Sequence, residues 1–140
     1  MTQKTTLVKN KDIIRAWHEV DAAGQVLGRL ATQVARLLIG KNKVTYSNHQ
    51  DVGDFVVIKN AAKAKFASRV KKLEQKKYYS YSGYPGGLRT KTLGEKVKTS
   101  PEDVIRGAVR EMIDDNRLRK LRMRRLKVVS GDSHNFPIKK

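Results

Sequence analysis

The run Phe55-Val56-Val57-Ile58, four consecutive apolar residues behind Gly53-Asp54, restricts the architecture more than any other stretch of the chain. Uninterrupted apolar character over the length of a strand predicts a strand covered on both faces. Ahead of it, Leu27, Leu30, Ala31, Val34, Leu37 and Leu38 recur at helical spacing, with Arg29, Thr32, Gln33 and Arg36 on the opposite side. Gly40 closes this helix as a glycine just beyond the last turn should, and Lys41 and Lys43 follow where the helix dipole is negative. Before the helix, Trp17 to Asp21 alternates as a short strand does, with Trp17, Glu19 and Asp21 on one side and His18 and Val20 on the other. Ala22-Ala23-Gly24-Gln25 forms the tight connection. Strand, helix and buried strand in that order require a right-handed crossover and a parallel sheet.

The rest of the chain adds smaller elements. Asn60-Ala61-Ala62 makes a turn, and Lys65-Phe66-Ala67 is expected to be a third short strand. Thr92 to Lys98 has room for one or two helical turns. Ser100-Pro101-Glu102-Asp103 then signals a helix start: an N-cap serine, proline at the first position and two acids in the first turn. Val104, Ile105, Ala108, Val109, Met112 and Ile113 give this helix its apolar stripe, and Asp114-Asp115-Asn116 ends it. Arg117 to Lys127 predicts a basic helix leading into a last strand at Leu126 to Val129. At 140 residues the whole chain is expected to be one domain, with residues 1–14 as an extended arm that orders against a partner and 132–140 as a short tail with little to pack.

Charge and aromatic placement speak to function. The net charge is +18, of which residues 59–91 contribute +9 and residues 117–127 contribute +7. A polyanion-binding face concentrates charge in this way, because each neutralised phosphate releases counterions and adds affinity. The first patch surrounds Tyr78 to Arg89, YYSYSGYPGGLR, which holds four of the five tyrosines. Arg69, Lys71, Lys72, Lys76 and Lys77 lie at its entrance and Lys91 follows its exit. Tyr84-Pro85-Gly86-Gly87 spells a type II turn, with Pro85 presetting the first central dihedral and Gly86 supplying the positive φ. Aromatic faces among cations, on backbone bare enough for close approach, suit RNA phosphates and bases. A tyrosine-rich turn packed on its own domain is the structural alternative. In the second patch the cations are Arg117, Arg119, Lys120, Arg122, Arg124, Arg125 and Lys127.

Other chemistries find less support. With no cysteine there is no disulfide framework, thiolate metal site or thiol nucleophile, and a reducing intracellular compartment is the natural expectation. No stretch has the apolar length of a membrane span or the form of a signal peptide, so a soluble protein is expected. An anionic membrane surface would compete for the basic helix, but that segment offers only leucines and a methionine opposite its charges. His49, Asp51 and Asp54 lack a repeated ligand spacing, and no G-x-S-x-G marks a hydrolase. DAAGQVLGR, residues 21–29, sits where an α/β fold would hold a nucleotide, yet lacks both G-x-G-x-x-G and a Walker lysine. Arg29 at its end remains able to touch a backbone phosphate. The signatures of RRM and KH modules are missing. A nucleotide-dependent α/β enzyme and a regulatory RNA-binding protein therefore stand as the alternatives to a structural RNA-binding role.

The order Trp17, Val20-Asp21-Ala22, Leu27-Gly28-Arg29-Leu30-Ala31, Gly40-Lys41, Gly53-Asp54, Asn60-Ala61, Lys77-Tyr78-Tyr79, Ser82-Gly83-Tyr84-Pro85-Gly86-Gly87-Leu88, Pro101, Ala108-Val109, Leu126-Lys127-Val128 and Gly131 resembles the bacterial L-thirteen family of the large ribosomal subunit, from about residue 15 to residue 135. The resemblance implies a three-layer α/β/α domain with a mainly parallel four-stranded sheet. It implies a non-catalytic cytoplasmic protein that needs no cofactor or metal and has no small-molecule substrate or membrane partner. Its partners would be large-subunit ribosomal RNA, bound early in assembly, and neighbouring ribosomal proteins. It further implies that Lys76, Lys77, Tyr84, Gly86, Gly87 and Arg89 lie in the RNA-facing loop, with Lys41 and Lys43 at the helix exit. Two departures stand out. Glu111-Met112-Ile113-Asp114 replaces the family's usual G-M-L-P, and the C-terminal extension is reduced to Phe136-Pro137-Ile138-Lys139-Lys140.

Overall fold

The computed structural model describes residues 8–67 and 73–138. In chain order they form β1 (Trp17–Asp21), α1 (Leu27–Ile39), β2 (Phe55–Lys59), β3 (Lys77–Tyr81), β4 (Leu88–Thr92), α2 (Leu93–Thr99), α3 (Pro101–Glu111), α4 (Arg117–Arg124) and β5 (Leu126–Val128), with 3-10 turns at Asn10–Asp12 and Ala61–Lys63. The apolar run becomes the central strand of a parallel sheet of order β1-β2-β5. Val56, Val57 and Ile58 are fully buried, as a strand covered on both faces must be.

The expected four-stranded sheet has three strands among the described residues. Lys65-Phe66-Ala67 supplies only one parallel bridge, between Val26 and Lys65. Asn60 takes a left-handed conformation (φ 55°) and the Ala61–Lys63 turn follows, so the chain leaves the sheet plane. The hydrogen bonds of Lys65 then go to the entrance of α1: its amide donates to Gln25 O and its carbonyl accepts from Leu27 N. The two further strands, β3 and β4, form a separate antiparallel hairpin.

One face of the sheet carries the core. Val20, Val56, Ile58, Leu126 and Val128 pack with Leu30, Val34 and Leu38 of α1 and with Ile105 and Val109 of α3. Each such side chain contributes about 1.5–3 kcal/mol by leaving water, so the amphipathic faces of the two helices fix their orientation. Both helices lie on this one face. Groups of the C-terminal tail cover the other. Trp17 stacks on Phe55 with ring centroids 4.4 Å apart and lies 6.1 Å from Phe136, while Lys59 bridges Glu19 (2.9 Å) and Asp132 (3.1 Å). In place of a second helical layer opposite α1 and α3, the described contacts show the extended tail on the other side of the sheet. The tail packs because its single phenylalanine meets the single tryptophan.

The expected arm is also tied to its own chain where it is described. Gln50 Nε2 donates to Val8 O, and Lys43 Nζ donates to Ile14 O at 2.7 Å. Residues 1–7, 139 and 140 lie outside the described residues. At the entry to α3, Ser100 makes no side-chain cap, because it also terminates α2 with its amide on Lys96 O. The capping box lies instead on Thr92 and Glu95 at the start of α2. Gly40 ends α1 in the left-handed region at φ 84°.

Candidate nucleic-acid interface

The tyrosine segment is a two-stranded hairpin. Gly87 N donates to Tyr84 O at 2.9 Å and Gly86 has φ +72°, which is the turn that Tyr84-Pro85-Gly86-Gly87 predicts. Register then separates what the sequence interleaves. Cross-strand pairing sets Tyr79 against Thr90 and Tyr81 against Leu88, whereas Tyr78 faces Lys91 and Ser80 faces Arg89. Side chains of one strand alternate between faces. One face thus carries Lys77, Tyr79, Tyr81 and Leu88, and the other carries Tyr78, Arg89 and Lys91. On the second face Lys96 Nζ lies 4.1 Å and Lys76 Nζ 5.4 Å from the Tyr78 ring centre, inside cation–π range. Lys76, Lys77, Tyr84, Gly86, Arg89 and Lys91 are all exposed, and Gly87 is partly so.

A second cationic surface is concave. A cleft of about 730 Å³ between α3 and α4 is lined by Arg106, Arg110, Arg119, Lys120 and Arg124, with Lys96 at its edge and Asp103 and Asp115 as its acids. Asp103 pairs with Arg106 (3.6 Å) and Asp115 with Arg119 (3.0 Å), which leaves Lys96, Arg110, Lys120 and Arg124 as the excess charge. Asn116 builds this wall, accepting from the amides of Leu118 and Arg119 to cap α4. Lys96, Arg106 and Arg110 were not singled out by sequence. The signal was available, since Arg106 and Arg110 are one turn apart on the polar side of the α3 stripe.

Three sequence candidates turn inward and are corrected. Arg122 is 2% exposed, with Nε 3.8 Å from Asp51 Oδ1, too long for a hydrogen bond but close enough for charge attraction. Arg125 is 7% exposed; it forks onto both Asp51 oxygens and also donates to Leu38 O and Asp54 O. Lys43 donates to Asp54 Oδ1 (2.5 Å), Val52 O (2.9 Å) and Ile14 O. Buried carboxylates require such partners, so these cations neutralise Asp51 and Asp54 instead of facing solvent. Arg119 is partly committed, donating to Ile113 O and Asp114 O. Arg29, Lys41, Arg117, Lys120 and Arg124 are exposed. Arg69, Lys71 and Lys72 lie outside the described residues.

The same contacts dispose of the polar-loop candidates. Asp54 also accepts from Ala16 N (2.9 Å) and His18 Nε2 (3.0 Å). Burial pushes its carboxyl up, but these donors together with Lys43 outweigh burial and hold it below the usual carboxylate value. No group of three or more His, Asp or Glu among the described residues is placed to hold a metal. In the turn at residues 22–27, Gly24 N donates to Lys63 O, Gln25 N to Ala22 O and Leu27 N to Lys65 O. These amides serve the turn itself rather than a phosphate cradle. No described helix is long and apolar enough to cross a membrane.

The family described as Ribosomal protein L13 matches residues 15–135. The chain is 46% identical over 132 residues to the large ribosomal subunit protein uL13 of Thermotoga petrophila, covering 94% of this chain and 87% of that one. It is 46% identical over 137 residues to the uL13 of Caldanaerobacter subterraneus subsp. tengcongensis, covering 98% and 94%. With the Aquifex aeolicus uL13 it shares 47% identity over 131 residues, 94% of this chain and 90% of that one. Nearly the full length is matched, and the chain belongs to the ribosomal protein L13 family, whose members are structural ribosomal proteins and not enzymes.

Proposed function

We propose that this protein is a structural constituent of the large ribosomal subunit, cytoplasmic on the ribosome, that binds large-subunit ribosomal RNA and supports early assembly beside other ribosomal proteins. The observation that carries the reading is the pairing of two cationic surfaces, the hairpin and the α3–α4 cleft, which meet at Lys96. The hairpin offers Lys76, Lys77, Arg89 and Lys91 around a glycine turn. The α3–α4 cleft offers Lys96, Arg110, Lys120 and Arg124. Arg29 and Lys41 extend the charge along the exposed side of α1, and Arg117 extends it beyond the cleft. Arg69, Lys71 and Lys72 precede the hairpin in sequence and are proposed to bind RNA on their charge and place in the chain alone. Two such patches suit a protein that holds RNA helices together, with cations on phosphates and Gly86 and Gly87 allowing backbone approach.

The test is sedimentation of lysate through a sucrose gradient at moderate and high salt, followed by RNA binding of single-charge variants. Cosedimentation with the large subunit that survives high salt is expected. Replacing Lys120, Arg124 or Arg89 by glutamine should each reduce the salt slope of RNA affinity by about one unit. Recovery only in light fractions at both salts would overturn the ribosomal reading.

A further inference from the structure

We infer that the aromatic face of the hairpin is a stacking platform for unpaired nucleotides, distinct in chemistry from the phosphate-binding face behind it; the inference rests on the RNA-binding reading above. Tyr79 and Tyr81 are 66% and 65% exposed, and Leu88, opposite Tyr81, is 61% exposed. Tyrosine rings left in water at this density cost burial that the fold obtains nowhere else, so the face is built for an occupant.

The occupant follows from charge and spacing. On this face the two strands carry Lys77 and no acid, and Arg89 and Lys91 stand on the reverse face of the same strands. A nucleotide strand brings a flat ring for the tyrosines together with an anion for Lys77 and the cations at the hairpin's edge. Residues two apart on one strand face are about 7 Å apart, roughly twice the ~3.4 Å rise per nucleotide. One base fits between the two tyrosines, or successive bases lie along them. In a duplex the base faces are occupied by their own neighbours, so the platform takes only splayed, single-stranded nucleotides. Thr90, cross-strand to Tyr79, adds a hydroxyl within reach of a ribose.

The reverse face cannot do the same. Its one tyrosine, Tyr78, is covered by Lys76 and Lys96, leaving Arg89 and Lys91 to meet phosphate oxygens. The hairpin is thus a blade with duplex backbone on one side and looped-out bases on the other.

The experiment uses the full chain with two labelled RNAs of equal length, a ten-nucleotide single strand and a ten-base-pair duplex, read by fluorescence anisotropy. Tyr79→Val and Tyr81→Val keep a strand-forming residue without the ring, and Tyr79→Phe and Tyr81→Phe keep the ring without the hydroxyl. Each valine variant should weaken single-strand binding roughly 5- to 150-fold and leave duplex binding within about twofold, and the phenylalanine variants should bind like the parent. Circular dichroism and the melting midpoint check that each variant folds. Single-strand binding unchanged in the double valine variant, while Arg89→Gln still weakens the duplex, would overturn the platform and leave the RNA-binding reading standing. Loss of a ribosomal-protein contact with no change in single-strand affinity would overturn it in favour of a protein partner. If the parent binds neither RNA, the wider reading fails with it.

Discussion

Arg125, at the threshold of β5, and Asp51, 74 residues earlier in the loop between α1 and β2, meet as a buried fork, with Arg125 Nη2 2.5 Å from Asp51 Oδ1. The same guanidinium reaches Leu38 O at the end of α1 and Asp54 O at the start of β2. One side chain thereby fastens the sheet, the long helix and the loop between them. Removing either partner leaves a buried charge alone. Arg125→Ala should cost about 3–5 kcal/mol in urea unfolding, and Arg125→Lys should recover only part of it because an ammonium cannot reproduce the fork. The RNA salt slope of the folded variant should not change, and a slope reduced by about one unit would show that Arg125 reaches phosphate after all.

Gly53 is a site of close backbone approach. A Cβ there would sit 1.7 Å from Leu38 O, and Asp54 N donates to Leu37 O beside it. Gly53→Ala must push the α1 terminus off β2, with an expected loss of about 2–4 kcal/mol. Gly107→Ala, where a Cβ meets nothing within 4 Å, is the control and should be neutral or slightly stabilising by chemical denaturation.

Acid should destabilise the fold in part through Asp54. Its pKa is held below the ordinary 3.8 in the folded protein, so the stability it supplies is present above about pH 4 and is lost as pH falls through the lower folded value. Stability should be flat from pH 7 to 5 and decline below 4. Asp54→Asn should be less stable at pH 7 and show a shallower decline at acid pH. An equally steep decline in that variant would assign acid sensitivity to other carboxylates.

The hairpin tip separates folding from binding. A Cβ on Gly86 meets no neighbour within 4 Å, but its φ of +72° is hostile to a branched side chain. Gly86→Val should cost about 1–2 kcal/mol locally while moving the unfolding midpoint of the core little. RNA affinity should fall more than for loss of any one cation. Unchanged RNA affinity would remove the turn from the interface.

Trp17 reports on the tail. Phe136→Ala removes the ring stacked over it and should red-shift tryptophan emission, with a stability loss of about 1–3 kcal/mol. Unshifted emission would mean that the tail contributes nothing to covering that face.

Local patterns carried much of this fold. The helical period of α1, the unbroken apolar run of β2 and the glycine at position 40 each express a backbone or burial requirement within a few residues, so the parallel crossover was legible. The two charge concentrations and the type II turn were legible for the same reason. The stretch Lys65-Phe66-Ala67 read as a strand because short apolar segments fit several structures, and only the turn at Asn60 sent it to the helix entrance.

The sequence alone therefore determined the β1–α1–β2 crossover, the helix after Pro101, the tyrosine-segment turn and where positive charge gathers. Tertiary structure decided which cations are available. In Arg117 to Arg125 six of nine positions are basic, so charge by itself does not mark the inward face. Arg122 and Arg125 became structural only when the fold brought Asp51 beneath them. The pleat likewise decided that tyrosines and cations adjacent in the chain occupy opposite faces of the hairpin. Both outcomes depend on partners distant in sequence or on strand register, which are set when elements pack and not by the residues taken one stretch at a time.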